Sequence, residues 1–201
     1  MRLNENIIII GSKILLVPYR KEHVLRYHQW MKSEELQKLT ASEPLTLQEE
    51  YEMQVSWCED EDKCTFIILD KATYDESKDE ISSMVGDTNI FVTNKEEAIG
   101  EIEIMIAEKS ARGKQFGKEA ITLMLLYGIK YVKLKSFEAK ISFSNEISLK
   151  IFQKFGFEEQ SRSEVFEEIT LERKVTNEWV LWLNNQAKYF LLKPTFNTLI
   201  L

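Results

Sequence analysis

Between Glu101 and Val132 the chain reads EIEIMIAEKSARGKQFGKEAITLMLLYGIKYV, and the way this stretch divides decides the fold. Its first part alternates. Glu101, Glu103 and Met105 share one face of a strand, and Ile102, Ile104 and Ile106 share the other. Its last part, from about Phe116 to Tyr131, has the apolar periodicity of a helix. Between them, residues 111–120 (ARGKQFGKEA) hold two glycines, Gly113 and Gly117, and three cations, Arg112, Lys114 and Lys118. A strand, a glycine-bearing turn and a helix together aim free backbone N–H groups and a positive helix end at phosphate oxygens. Two common phosphate turns do not fit. A Walker loop needs four residues between its glycines and then Lys-Ser/Thr, whereas Gly113 and Gly117 enclose three and Lys118 precedes Glu119. The dinucleotide pattern G-x-G-x-x-G is absent.

Upstream, Met1–Pro18 reads as one or two strands, with ILLV (residues 14–17) closed by Pro18. KEHVLRYHQWMKS then carries Val24, Tyr27, His28 and Met31 at helical spacing. Thr46, with Glu49 three residues on, forms a capping box that opens a second helix. CTFIILD is a strand. Residues 71–83 (KATYDESKDEISS) are charged and aperiodic, which predicts a mobile loop. MVGDTNIFV and IGEIEIMIA predict an antiparallel pair. Downstream, FEAKISF is a strand, and NEISLKIFQKFGF is a helix with Asn145 as N-cap, Ile147, Ile151 and Phe152 on one face, and Gly156 at its end. VFEEITLER is a last strand. From Thr176 onward, Trp179, Trp182 and Leu183 predict an amphipathic helix packed on the body.

With 201 residues, 44% of them hydrophobic and 29% charged, the chain suits one compact domain, residues 1–175, plus a helical tail, residues 176–201. Its net charge of -7 argues against a nucleic-acid surface. No apolar run approaches the roughly 20 residues of a membrane span. Cys58 and Cys64, with His23 and His28 elsewhere in sequence, supply neither a disulfide framework nor a metal-ligand set, so no metal is expected. Together these features predict a soluble cytoplasmic protein that binds neither nucleic acid nor membrane.

Arg112-Gly113-Lys114-Gln115-Phe116-Gly117 resembles the R/Q-x-x-G-x-G/A turn with which GNAT-superfamily acetyltransferases bind the pyrophosphate of acetyl-CoA. Gln115 stands where the superfamily has its first glycine. Asn145, Ser148, Phe152, Lys154, Gly156 and Phe157 resemble a second GNAT element, N-x-x-S/A-x-x-x-Y/F-x-K-x-G-F, the helix beside the pantetheine arm. Over nearly the whole chain, to about residue 172, the sequence also resembles the N-acetyltransferase 9 group. The resemblance implies an α/β (α+β) GNAT fold, a mixed, mostly antiparallel twisted sheet of about seven strands flanked by helices. It also implies acetyl-CoA as acetyl donor. Met105, Ile106, the turn from Arg112 to Lys118, Asn145, Ser148 and Phe152 would bind that donor. A protein or peptide amine, tubulin among the candidates, would accept the acetyl group. An acidic chain gains no electrostatic help from acidic tubulin, so any docking surface must be local. In many relatives a tyrosine on the second helix protonates the leaving thiolate; that position is Phe152 here, and a phenyl ring donates no proton.

Acetyl transfer needs a neutral amine. At pH 7, deprotonating an α-amine of pKa about 8 costs about 1 kcal/mol, and a lysine near 10.4 costs nearly 5. Glu103 and Glu101 are the candidate bases, Glu103 first because it lies closer to the strand split, with Glu138 as a third. Two other readings remain open at this stage: acetylation of a small amine, and a GNAT-fold scaffold with weak or no turnover, the latter suggested by Gln115 and Phe152.

Overall fold

The computed structural model describes residues 2–195, apart from the Arg2 side chain; residues 196–201 of the expected tail lie outside it. The strands are β1 (Ile7–Ile10), β2 (Ile14–Pro18), β3 (Lys63–Asp70), β4 (Met84–Asn94), β5 (Ile99–Ile106), β6 (Ser136–Ser142), β7 (Glu158–Ser163), β8 (Glu168–Lys174) and β9 (Leu191–Pro194). They form one sheet in the order β7-β8-β6-β5-β4-β3-β2-β1-β9. Of its described pairings only β5–β6 is parallel.

The helices are α1 (Val24–Met31), α2 (Glu34–Leu39), α3 (Leu47–Glu59), α4 (Lys71–Ser77), α5 (Glu80–Ser83), α6 (Phe116–Tyr127), α7 (Glu146–Lys154) and α8 (Asn177–Gln186). On one face of the sheet, Phe66, Ile90, Ile102, Phe137 and Ile141 pack against α6 and α7. Every residue of α6 from Ala120 to Tyr127 is buried, because α8 covers the side of the helix that the sheet leaves open. A helix apolar all round needs such cover. On the other face, Leu15, Val17, Ile67 and Met105 pack against Tyr27, Trp30 and Met31 of α1 and Leu36 of α2.

The capping box at Thr46 and Glu49 is present. So is the Asn145 cap, whose Oδ1 accepts from the Ser148 N–H at 3.2 Å. Gly156 follows α7 with φ +83. Ile147, expected on the buried face of α7, is instead 74% exposed, and the buried side is carried by Phe152 and then Phe155.

Four expectations differ from the structure. Residues 71–83 are two short helices rather than a loop. Asp70 caps α4 through the Ala72 N–H at 3.0 Å, Asp79 caps α5 through the Ile81 N–H at 2.9 Å, and Lys78 ends α4 in the left-handed region. Local caps thus set helices that carry no apolar period. The sheet has more strands than about seven: β7 (EEQSRS) has no fully buried position that alternation could reveal, and β9 is a four-residue edge strand on β1. The last strand of the core begins at Glu168, so Val165 and Phe166 sit in the β7–β8 turn. The tail is therefore helix followed by strand. Its Trp179 is buried, donates from Nε1 to the Phe155 carbonyl at 2.9 Å, and meets Phe137 and Phe157 edge-on.

Candidate active site

The parallel strands β5 and β6 stay together for only three register pairs, Ile99–Ser136, Gly100–Phe137 and Glu101–Glu138. Beyond Glu101 they part. The backbone of β5 from Ile102 to Ile106 is thus unpaired on that side, while its other edge remains paired to β4. A cleft of this kind offers an extended amide-bearing ligand arm a row of strand donors and acceptors.

At the end of β5 the chain makes a single 3-10 turn at Lys109–Ala111, passes through extended Arg112 and enters the left-handed region at Gly113 (φ +78) and again at Gln115 (φ +70). A Cβ on Gly113 would touch nothing within 4 Å, so glycine is used there for its backbone freedom. Gln115 thus holds a left-handed conformation that glycine adopts more readily. It immediately precedes α6 and does not cap it, so the first N–H groups of the helix have no side-chain acceptor from that residue. This is the arrangement that receives phosphate. Gly117 brings α6 close to β5, since a Cβ there would meet the Ile106 side chain at 3.5 Å.

The cations are distributed unevenly. Arg112 Nη1 donates to Glu35 Oε1 at 2.6 Å and its Nε to the Ile106 carbonyl at 3.2 Å. Glu35 also pairs with Lys109 at 3.1 Å. The Arg112 hydrogen bond, followed by that of Lys109, holds the Glu35 carboxyl below its ordinary range. Lys118 Nζ donates to Gln186 Oε1 of α8 at 3.1 Å. Lys114 lies over the Phe116 ring, which is itself buried.

Spacing in the sequence does not reveal one further cation. Glu119, in the first turn of α6, accepts from the backbone N–H groups of Ser12 and Lys13 in the β1–β2 turn. Lys13 is thereby seated on the glycine turn, with Nζ 3.2 Å from the Lys114 carbonyl and 3.4 Å from Gln115 Oε1. A residue a hundred positions upstream reaches this place only through the topology.

The two candidate bases occupy different settings. Glu101 lies in the paired part of β5, is 9% exposed, and accepts from Lys140 Nζ at 2.5 Å. That cation, through its hydrogen bond to Glu101, has its own proton held more tightly. Glu103 is exposed, is the first carboxylate past the parting of β5 and β6, and accepts from Asn89 Nδ2 of β4. Glu138 stands opposite Glu101 in the register and is half-buried. Met105 is buried against α1, and Ile106 is half-buried beside Gly117. α1 is moored to the same end of β5, since Trp30 Nε1 and Arg26 Nη2 both donate to Glu108, at 2.7 and 2.5 Å.

On α7, Asn145 is committed through Oδ1 to its capping bond, and Ser148 is half-buried beside it. Phe152 points into the core, 2% exposed, with its ring edge-on to Phe157 at 5.1 Å. A phenyl ring suits that apolar setting.

The sequence comparison agrees with the geometry. The family model described as "Acetyltransferase (GNAT) domain" matches residues 13–158, and the chain belongs to that family. Within it the chain stands close to the N-acetyltransferase 9 group. It is 53% identical over 198 residues to alpha/beta-tubulin-N-acetyltransferase 9 of Homo sapiens, covering 96% of both chains. It is 52% identical to the protein of the same name from Drosophila melanogaster, covering 93% of this chain and 96% of that one. Among solved structures, spermidine N-acetyltransferase from Vibrio cholerae, in complex with CoA and spermine, superposes with a TM-score of 0.71 at 16% identity, covering 85% of this chain and 99% of that one. This last likeness establishes the fold. The protein is an N-acetyltransferase with acetyl-CoA as its donor. The glycine turn, its cations and the parted strand edge are residues that fit such a donor.

Proposed function

We propose that the chain acetylates an amine of a protein, with tubulin as the candidate acceptor and Glu103 as the base. The names of its relatives support the acceptor. The observation that carries the base is the position of Glu103 at the point where β5 and β6 part, with one neutral amide partner rather than a cation. Bound acetyl-CoA supplies an activated acyl carbon. Around it, the strand edge from Ile102 to Ile106 aligns the arm of the donor, and the turn from Arg112 to Lys118, with Lys13, holds its phosphates. Asn145 and Ser148, at the start of α7, give the arm polar contacts. Glu103 takes the proton from the attacking nitrogen, directly or through one water. The thiolate, of pKa near 8.5, leaves without a tyrosine, and Phe152 serves the core.

The neutral amine is the reacting form, which favours an acceptor that is already partly neutral. An α-amine meets that condition at about 1 kcal/mol, against nearly 5 for lysine, so a protein amino terminus is the preferred acceptor. The reading goes with a cytoplasmic location, with residues 1–175 as the catalytic unit and the tail as its cover.

Incubation of the protein with acetyl-CoA and purified αβ-tubulin, followed by mass spectrometry of amino-terminal and lysine-bearing peptides, tests it. Acetylation of a tubulin amino terminus is expected, slowed about 100-fold by Glu103→Gln with unchanged affinity for acetyl-CoA. Absence of any acetylated tubulin amine refutes the acceptor. Equal rates for the two proteins refute the base.

A further inference from the structure

Behind Glu103 the sheet carries a buried polar row that the transfer of acetyl has not yet used. In the β4–β5 register Asn89 lies opposite Glu103 and Asp87 opposite Met105, so Asp87 sits diagonally behind Glu103 on the same face. Diagonal neighbours in an antiparallel pair lie about 7–8 Å apart, within reach of two carboxyl side chains and one water. Asp87 is 8% exposed and Asn89 1%. The Asn89 amide nitrogen donates to Glu103, while Asn89 Oδ1, Asp87 Oδ1 and the Tyr19 hydroxyl are buried without a hydrogen-bond partner in the protein. Of these, the two Oδ1 atoms can only accept unless the carboxyl is protonated.

Buried polar atoms are normally satisfied. A proton on Asp87 would add a donor beside the two Oδ1 acceptors. The charges acting on Asp87 are Glu103 on β5 and Lys63 on β3; Glu50 on α3, whose carboxyl is 3.6 Å from His28 on α1, acts with Asp87 on Tyr19 and Tyr27. The hydroxyls of Tyr19 and Tyr27 lie in the field of Asp87 and Glu50, and burial followed by that field keeps both protonated.

We propose that Asp87 is a relay residue that receives the amine's proton from Glu103 during acetyl transfer. The proposal rests on the reading of Glu103 as base. In the balanced step the N–C bond forms and the C–S bond breaks, with the electron pair leaving on sulfur. The proton of the nitrogen passes to Glu103 and on to Asp87, which releases it to solvent, and sulfur takes a proton from water. Asp87 does not touch the substrate. Its role is to empty Glu103 while donor and acceptor fill the cleft. The shift of its carboxyl up to about 7, caused first by burial and then by Glu103, suits a site that fills and empties near neutral pH.

Two measurements test this. The first is a carboxyl carbon-13 NMR titration of the wild type and Glu103→Gln, which needs no acceptor. Asp87 is expected to titrate near neutral pH in the wild type and lower in the variant. A midpoint in the ordinary carboxylate range, or one that Glu103→Gln leaves in place, overturns the relay. The second is the pH profile of kcat/KM for tubulin acetylation. Asp87→Asn should lower the plateau about tenfold and remove the part of the acid limb near pH 7, leaving the limb that the amine itself sets near pH 8, with acetyl-CoA affinity unchanged. A profile of unchanged shape, whether or not scaled down, overturns the relay and leaves Glu103 as base. Loss of the effect of Glu103→Gln itself overturns the base reading instead.

Discussion

Asp87→Asn also makes a prediction about stability that does not depend on turnover. An unfolded aspartate titrates near 3.9. In the folded chain burial raises the carboxyl from 3.8 to about 7, the charge of Glu103 adds to the rise, and Lys63 acts the other way. Between these values the folded state keeps a proton that the unfolded state has released. Stability therefore falls as pH rises from about 4 to 7, and this dependence levels off on either side of that window. Each pH unit inside it is worth 1.36 kcal/mol, so the whole fall is about 4 kcal/mol, of which about 2–3 lies between pH 5 and 8. Asparagine has the same shape without the ionisation. Urea unfolding of both proteins at pH 5 and pH 8 isolates the effect, because every other titrating group is shared. The variant should gain about 2–3 kcal/mol relative to wild type on going from pH 5 to pH 8, roughly 1 M in midpoint at an m-value of 2–3 kcal/mol/M. A difference between the two proteins that does not change with pH would refute a buried, proton-holding Asp87.

Three further perturbations follow from the turn and the tail. Gln115→Gly removes about 1 kcal/mol of left-handed strain but adds chain entropy of similar size to the unfolded state. Its melting temperature should stay within about 2 °C of wild type and its acetyl-CoA affinity, by calorimetry, within about threefold, whereas Gln115→Val should melt several degrees lower. Lys13→Ala should weaken acetyl-CoA binding about three- to tenfold and flatten its salt dependence, measured by titration at two ionic strengths. Trp179→Ala empties a site 4% exposed and strips the Phe155 carbonyl of its donor, so chemical denaturation should show a loss of about 3–5 kcal/mol.

The parts of the fold that were legible in sequence are those where a local rule and a long period coincide. The β4–β5 pair and α6 satisfy both, while α7 has its Asn145 cap but not the apolar face expected through Ile147. What escaped was set by one cause only. α4 and α5 exist through the caps of Asp70 and Asp79 without an apolar stripe, and β7 pairs through its backbone with polar side chains outward. The separation of Glu103 from Glu101 was half visible. Alternation put both on one face, but the cation on Glu101 comes from Lys140 on β6, and its presence depends on a parallel pairing that periodicity does not encode. Lys13 and Asp87 were invisible for the same reason. One is carried to the turn by Glu119, and the other is set behind Glu103 by strand register.

In the proposed complex acetyl-CoA lies along the parted edge of β5 with its phosphates on the turn that opens α6. Backbone amide NMR of the isotopically labelled protein, titrated with acetyl-CoA, tests it most directly. Saturable shifts concentrated in residues 102–106 and 112–118, with Lys13 and the start of α7 following, are predicted. Shifts centred elsewhere on the sheet, or none at millimolar ligand, would rule out that placement of the donor.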